Sequence, residues 1–184
     1  MLAVRVISER KEAAARIAHL AYHDALTGLP NRRLLDDRLA QAIYLAQRHD
    51  RRLAVILIDL DEFKQVNDLL GHRAGDDVLR EVSRRLAACM RRADTLARHG
   101  GDEFVILLPD VQAEPDCAVV AEKVLNALAP EFRVEGRSLA VGASIGISVF
   151  PSDAGDGDAL LRNADVAMYR AKQQGRNRFC FYGR

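Results

Sequence analysis

At 184 residues the chain has room for one domain with a full hydrophobic core and perhaps one additional helix, and two domains would be crowded. Apolar residues make up 49% and charged residues 29%, which excludes the disordered and fibrous classes. Lys and Arg number 27 against 26 Asp and Glu, so net charge gives no case for nucleic acid or an anionic membrane, and any anion site must be local.

No apolar stretch approaches the ~20 residues that cross a bilayer, so no direct membrane contact is expected of this segment. Met1-Leu-Ala-Val-Arg-Val turns charged at once, with no signal-peptide core, and the expected compartment is the cytosol. Cys89, Cys117 and Cys180 are an odd, scattered set without CxxC spacing, which predicts free thiols rather than disulfides or zinc.

Residues 6–22 are rich in strong helix formers, and Ile7, Ala14, Ile17, Ala18 and Ala21 make a thin apolar stripe. The stripe suits a partner helix in a linker or signalling role, or a capping helix on the domain's own surface. Domain boundaries are therefore set at 1–22 for this helix and 23–184 for the remainder. Gly28 and Pro30 mark a turn before a helix from about Arg32 to Arg48. Arg52 to Leu60 is a continuous apolar run with β-branched residues, the pattern of a central strand buried on both faces.

A short helix is expected over 62–70, and Gly75-Asp76 is expected to lead into a longer one with Val78, Leu79, Val82 and Leu86 on one face. Gly100-Gly101, between the strand-like runs Thr95 to His99 and Glu103 to Leu108, signals a hairpin. Further expectations are a helix from Pro115 to Leu128, strands at 132–134 and 139–150, a helix from Ala159 to Gln174, and a last strand from Arg178 to Tyr182. Helices alternating with strands that include hairpins predict an α/β (α+β) fold: a central mixed, largely antiparallel sheet wrapped by helices.

Asp59 and Asp61 end the buried strand, where a carboxylate needs a partner such as Mg²⁺, unless the strand simply emerges into solvent there. Asp102 and Glu103 sit at the glycine turn. If the hairpin lies beside the first strand, Asp59 and Glu103 converge, and two carboxylates plus substrate phosphates are a common Mg²⁺ site. The spacing after Asp61 excludes an EF-hand, and neither Walker A nor GxGxxG occurs. Asn67 and Asp76 suit either the Watson-Crick edge of guanine or helix capping. Lys172, Arg176 and Arg178 surround Gly175 at a helix end, where they either complement the dipole or reach phosphate oxygens.

Taken together, Asp24-x-Leu-Thr-Gly-Leu-Pro-Asn-Arg32, Asp59-Leu-Asp-Glu-Phe-Lys-Gln-Val-Asn67-Asp68, Gly71-His72-x-x-Gly75-Asp76, Arg98-His-Gly-Gly-Asp-Glu-Phe104 and Ala171-Lys-x-x-Gly-Arg-Asn177 resemble the motifs of the GGDEF family, in the family's order. The resemblance implies a sheet related to the palm of adenylyl cyclases and polymerases. It also implies diguanylate cyclase activity, in which two GTP molecules give cyclic di-GMP and two pyrophosphates, with Mg²⁺ or Mn²⁺ as cofactor. By this resemblance Asp59, Glu103 and the Leu60 carbonyl hold metal, Asn67 and Asp76 recognise guanine, and Lys172, Arg176 and the backbone at Phe63 and Lys64 hold phosphates. Asp102 is the candidate for assisting deprotonation of the attacking 3′-hydroxyl.

One domain binds one GTP, so a two-fold homodimer is expected for catalysis. Arg91-x-x-Asp94 matches the family's inhibitory product-binding motif at its usual offset from the glycines, against the plain reading of a helix-end ion pair. Lys123 stands near the place of a further inhibitory arginine and lacks its planar fork. The competing reading is a non-catalytic GGDEF domain that binds GTP or cyclic di-GMP within a larger signalling protein, one that could be membrane-anchored with this part in the cytosol.

Overall fold

The apolar run after Arg52 becomes β1 (Arg52–Leu60), and every residue from Leu53 to Leu60 is buried. A computed structural model describes residues 21–184; apart from its last two residues, the helix expected over 6–22 lies outside them. β1 is the middle of a five-stranded sheet ordered β2 (Thr95–Gly100), β3 (Glu103–Val111), β1, β6 (Ala143–Phe150) and β7 (Arg178–Phe181). Neighbours run antiparallel except β6 and β7, which are parallel, so the sheet is mixed and largely antiparallel.

Successive side chains of a strand point to opposite faces, and β1 feeds two cores in this way. Ala54, Ile56, Ile58 and Leu60 pack on one face with Val78, Leu79, Val82 and Leu86 of α3 (His72–Cys89) and Cys117, Ala121 and Val124 of α4 (Glu114–Leu128). Leu53, Val55 and Leu57 pack on the other with Leu35, Leu39 and Ile43 of α1 (Arg32–His49) and Leu160, Ala164 and Met168 of α5 (Gly157–Gln173). Burial of each large side chain contributes about 1.5–3 kcal/mol, which makes β1 costly to disturb.

Local signals set the helix ends. Asn31 caps α1 by accepting the Leu34 N–H at 3.1 Å, and Asp156 caps α5 by accepting the Ala159 N–H at 2.8 Å. Between β1 and α3 lies α2 (Phe63–Leu70). The long helix begins at His72 rather than at Gly75-Asp76, and Gly75 is buried within it. The strand expected over 139–150 is two: β5 (Arg137–Leu139) pairs with β4 (Phe132–Val134) in a separate hairpin, and only from Ala143 does the chain join the main sheet. The three thiols are free; burial drives that of Cys117 up to about 12.

Two contacts fix the parts that carry the site. α5 lies so close to β6 that a Cβ at Gly146 would run into the Ala164 carbonyl oxygen and the Met168 amide nitrogen. The turn at residues 24–31 is tied to β2: Arg98 Nη1 donates to both Asp24 carboxylate oxygens at 3.0 and 3.2 Å, and the Arg98 amide donates to the Pro30 carbonyl. Asp24 also accepts from the Thr27 amide and hydroxyl at 2.9 and 2.7 Å. Burial opposes its ionisation, but Thr27 and Arg98 outweigh burial and hold the carboxyl below 3.8.

We expect Gly146→Val to cost at least ~2 kcal/mol, read as a melting temperature lower by ~4–8 °C, because helix backbone must move to admit the side chain. Asp24→Ala should cost ~2 kcal/mol at pH 7. A lowered folded-state carboxyl stabilises above its unfolded value and ceases to do so as pH falls through the folded one. Melting curves of parent and variant should therefore differ at neutral pH and converge as pH drops below 3.8.

Candidate active site

Asp59 stands directly across the β1–β3 ladder from Glu103, as the hairpin's placement beside the first strand required. Both share the parity of Leu57 and Val105, so both project toward the face covered by α1 and α5. Lys172, in the last turn of α5, reaches that face and puts its Nζ 2.8 Å from Asp59 Oδ1, with side-chain exposures of 31% and 13%.

One lysine does not balance the acids. Burial, then Asp102 and Asp61, push the Asp59 carboxyl above 3.8 in spite of Lys172. Burial, then Asp59, Asp102 and Asp165, push the Glu103 carboxyl above 4.5, and Lys172 again fails to offset them. Paired, under-neutralised carboxylates, one buried and one partly buried, favour a cation between them. Their hard oxygen donors suit Mg²⁺, and among the described residues no cluster of three or more His, Cys, Asp or Glu forms a complete metal site.

Asp102 precedes Glu103 and lies on the opposite side of the hairpin. It lines a cavity of about 330 Å³ together with Phe63, Lys64, Asn67, Asp76, Arg98 and Gly101. The Leu60 amide donates to the Asp102 carbonyl at 3.3 Å, which joins the hairpin turn to the end of β1. Asn67 lies inside α2 and Asp76 inside α3, so neither is a helix cap. Gly75 explains how they meet: a Cβ there would overlap the Asn67 side-chain oxygen and come within 3.2 Å of Phe63 Cζ. The glycine that looked like a helix lead-in lets α2 and α3 close on each other.

α2 is preceded by Glu62, whose φ of 58° is left-handed and whose side chain makes no cap, so the first amides of the helix have no side-chain acceptor there. Phe63 and Lys64 line the cavity holding Asp102, while Glu62 lines a larger one of about 820 Å³ with Asp61, Gln65, Gly142, Arg176 and Asn177. The helix start thus stands between the two, with Arg176 on the side away from Asn67 and Asp76.

Arg91 and Asp94 lie at the far end of β2, about 20 Å along the strand from the glycines. The Asp94 carboxylate accepts the Arg91 amide at 2.8 Å, and the Asp94 amide donates back to the Arg91 carbonyl at 3.1 Å. The carboxylate closes a turn rather than binding the exposed guanidinium. Lys123 of α4 is close by, its carbonyl 3.8 Å from the Cys89 Sγ at the end of α3.

The roles of Arg98, Asp24 and Asp61 were not readable from sequence. Arg98 Nε and Nη2 donate to the Gly101 carbonyl at 3.0 and 2.7 Å, so one guanidinium fastens the glycine turn to Asp24, 74 residues away. Asp61 accepts from Ser144 and Asn177, 83 and 116 residues distant. Such partners leave no local trace in the sequence. His99 faces a third cavity, of about 530 Å³, with Arg32, Glu103, Arg162 and Asp165; burial and Arg32 hold its pKa below 6.5.

The bifunctional diguanylate cyclase/cyclic di-GMP phosphodiesterase MucR of Pseudomonas aeruginosa is 49% identical over 170 residues, which cover 92% of this chain and 25% of MucR. The chain therefore spans about a quarter of that curated relative. The crystal structure of the GGDEF domain of TpbB from Pseudomonas aeruginosa matches with a TM-score of 0.84 at 38% identity, covering 86% of this chain and 99% of that one. The coiled coil and GGDEF domain of DgcB from Caulobacter crescentus, solved with cyclic di-GMP, matches with a TM-score of 0.84 at 27% identity over 97% and 95% of the two chains. The family model described as "Diguanylate cyclase, GGDEF domain" matches residues 21–178, and a match over so much of the chain means that it belongs to the GGDEF family.

Proposed function

We propose that the chain is a diguanylate cyclase that condenses two GTP into cyclic di-GMP and two pyrophosphates, acting in the cytosol. The observation that carries this reading is the facing pair Asp59 and Glu103, with Asp102 turned toward the cavity that holds Asn67 and Asp76. Asp76 is suited to accept the N1 and N2 hydrogens of guanine, a pattern that adenine does not offer, and Asn67 supplies an amide beside it. The uncapped amides at Phe63 and Lys64, with Lys172 and Arg176, are suited to the triphosphate.

Asp59, Glu103 and the Leu60 carbonyl would hold Mg²⁺ or Mn²⁺, which when bound lowers the pKa of a coordinated hydroxyl and neutralises phosphate charge. The chain's own contribution is position and charge. Asp59 and Glu103 are held in register by the β1–β3 ladder, and Lys172 keeps Asp59 from being wholly unpaired. Asp102 lies on the nucleotide side of the turn, where it can take the proton of the attacking 3′-hydroxyl, a contribution typically of ~10²–10⁴-fold. A single domain presents one such face, so turnover needs a second copy across a two-fold axis. Arg91 and Asp94, remote from that face, are the proposed inhibitory site for product, with Lys123 as the weaker third cation.

MucR's double activity supports a further reading for the whole protein, in which this domain supplies the cyclase half of a longer chain. The presence of Asp59, Glu103, Asn67 and Asp76 together supports catalysis over the non-catalytic GTP- or cyclic di-GMP-binding alternative.

Incubation with GTP and Mg²⁺ should yield cyclic di-GMP and pyrophosphate in a ratio of one to two, with a specific rate that rises with protein concentration. GTP binding without product at high protein concentration would favour the binding module. Asp59→Ala and Glu103→Ala should abolish turnover, and Asp102→Ala should lower the initial rate by ~10²-fold or more. Arg91→Ala should leave the initial rate unchanged while progress curves remain linear to higher product concentration.

A further inference from the structure

Asp61 is the second acid of the Asp59-Leu60-Asp61 run, and its proximity to the metal pair suggests a third metal carboxylate. Its hydrogen bonds point elsewhere. Oδ1 accepts the Ser144 hydroxyl at 2.6 Å, and Oδ2 accepts the backbone amide of Asn177 at 3.0 Å. Its own amide donates to the Gly142 carbonyl at 2.9 Å. The side chain thus clamps the loop that joins α5 to β7 onto the end of β6.

That loop needs a clamp. Gly175, Arg176 and Asn177 have φ of 110°, 61° and 45°, three consecutive left-handed residues of which only the first is glycine. Left-handed backbone at residues with a Cβ persists only where the surroundings over-determine it. The Arg176 amide donates to the Ala171 carbonyl at 3.0 Å, Arg178 Nε donates to the Arg176 carbonyl at 3.3 Å, and Asp61 holds the loop to the sheet at Asn177. Gly142 makes the approach possible, since a Cβ there would stand 3.0 Å from Asp61 Oδ2 and 3.4 Å from Asn177 Oδ1. Arg176 and Asp61 line the same cavity beside the start of α2.

We infer that Asp61 is a positioning residue for the triphosphate, fixing the strained loop so that Arg176 is presented to the phosphate oxygens, and that it acts as a hydrogen-bond acceptor rather than as a metal ligand. The inference rests on the proposal that Arg176 holds phosphate. An arginine on a loop free to leave its left-handed turn spends part of its binding energy on reordering that loop.

The acceptor role separates from the charge role by substitution. In Asp61→Asn the amide oxygen can accept from Asn177 while the amide nitrogen donates to the Ser144 oxygen, so the clamp survives without the charge. The measurement is calorimetric affinity of the full chain for a non-hydrolysable GTP analogue and for GMP, each with Mg²⁺. Asp61→Ala, which removes both bonds of the clamp, should weaken the triphosphate by ~tenfold and leave GMP unchanged. Asp61→Asn should remain within about twofold of the parent, and Ser144→Ala, which removes one of the two bonds, should fall between them.

Should Asp61→Ala fail to fold, the Asn and Ala substitutions at 61 and 144 still decide. Equal, Mg²⁺-dependent losses in Asp61→Asn and in a metal-ligand variant would overturn the inference in favour of a third metal carboxylate, as would unchanged affinity in a folded Asp61→Ala. Arg176→Ala tests the underlying reading by itself: unchanged triphosphate affinity there removes phosphate binding by Arg176, and the inference with it, whatever Asp61 does. Combined with Asp61→Ala, Arg176→Ala should add little, because both remove the same contact.

Discussion

The antiparallel register that sets Asp59 of β1 opposite Glu103 of β3 is the constraint on which the rest depends. A side-chain period of two means that a slip of one residue would carry one acid away from the other and turn the apolar set of β1 inside out. Burial on both faces holds that register, because Ala54, Ile56 and Ile58 feed one core and Leu53, Val55 and Leu57 the other. The hairpin's two acids face different neighbours: Glu103, which opens β3, falls on the side of Asp59 and Lys172, and Asp102, in the turn before it, lines the cavity of Asn67 and Asp76.

The site is unfavourable by itself, and its chemistry lies in that. Asp59 and Glu103 are held together against burial and mutual repulsion, with Lys172 as incomplete compensation. Carboxyls whose folded-state pKa is raised detract from stability once pH exceeds the unfolded value, and a bound divalent cation removes that cost. Around them the supports are rigid and remote in sequence. Arg98 fastens the glycine turn to Asp24, Gly75 lets α2 approach α3, and Asp61 holds the left-handed loop bearing Arg176.

Much of this was legible before the structure. The unbroken apolar run of β1, the Gly-Gly hairpin and the amphipathic helices carry their periodicities in plain order and point to the fold class, while the convergence of Asp59 with Glu103 followed only on the condition that the hairpin lie beside β1. Boundaries were less legible where tertiary contact decides. Gly75 reads as the lead-in to a helix, yet it lies buried within α3, where the Asn67 side chain takes the space a Cβ would need. Residues 139–150 read as one strand by composition, but Arg137–Leu139 turns back on β4. Asn67 and Asp76 could be caps or ligands on sequence grounds, and only their mid-helix positions exclude capping. Arg98 and Asp61 had no local signature, since each acts through partners dozens of residues away.

The central claim is that the hairpin's adjacent acids serve different partners, Glu103 the metal and Asp102 the nucleotide. Titration of Mn²⁺ by electron paramagnetic resonance, in the presence of a saturating non-hydrolysable GTP analogue, reads the metal side directly. Glu103→Gln and Asp59→Asn should each weaken Mn²⁺ by ~tenfold or more, and Asp102→Asn should leave its affinity within about twofold. An Asp102→Asn variant that loses Mn²⁺ as strongly as Glu103→Gln would contradict the account.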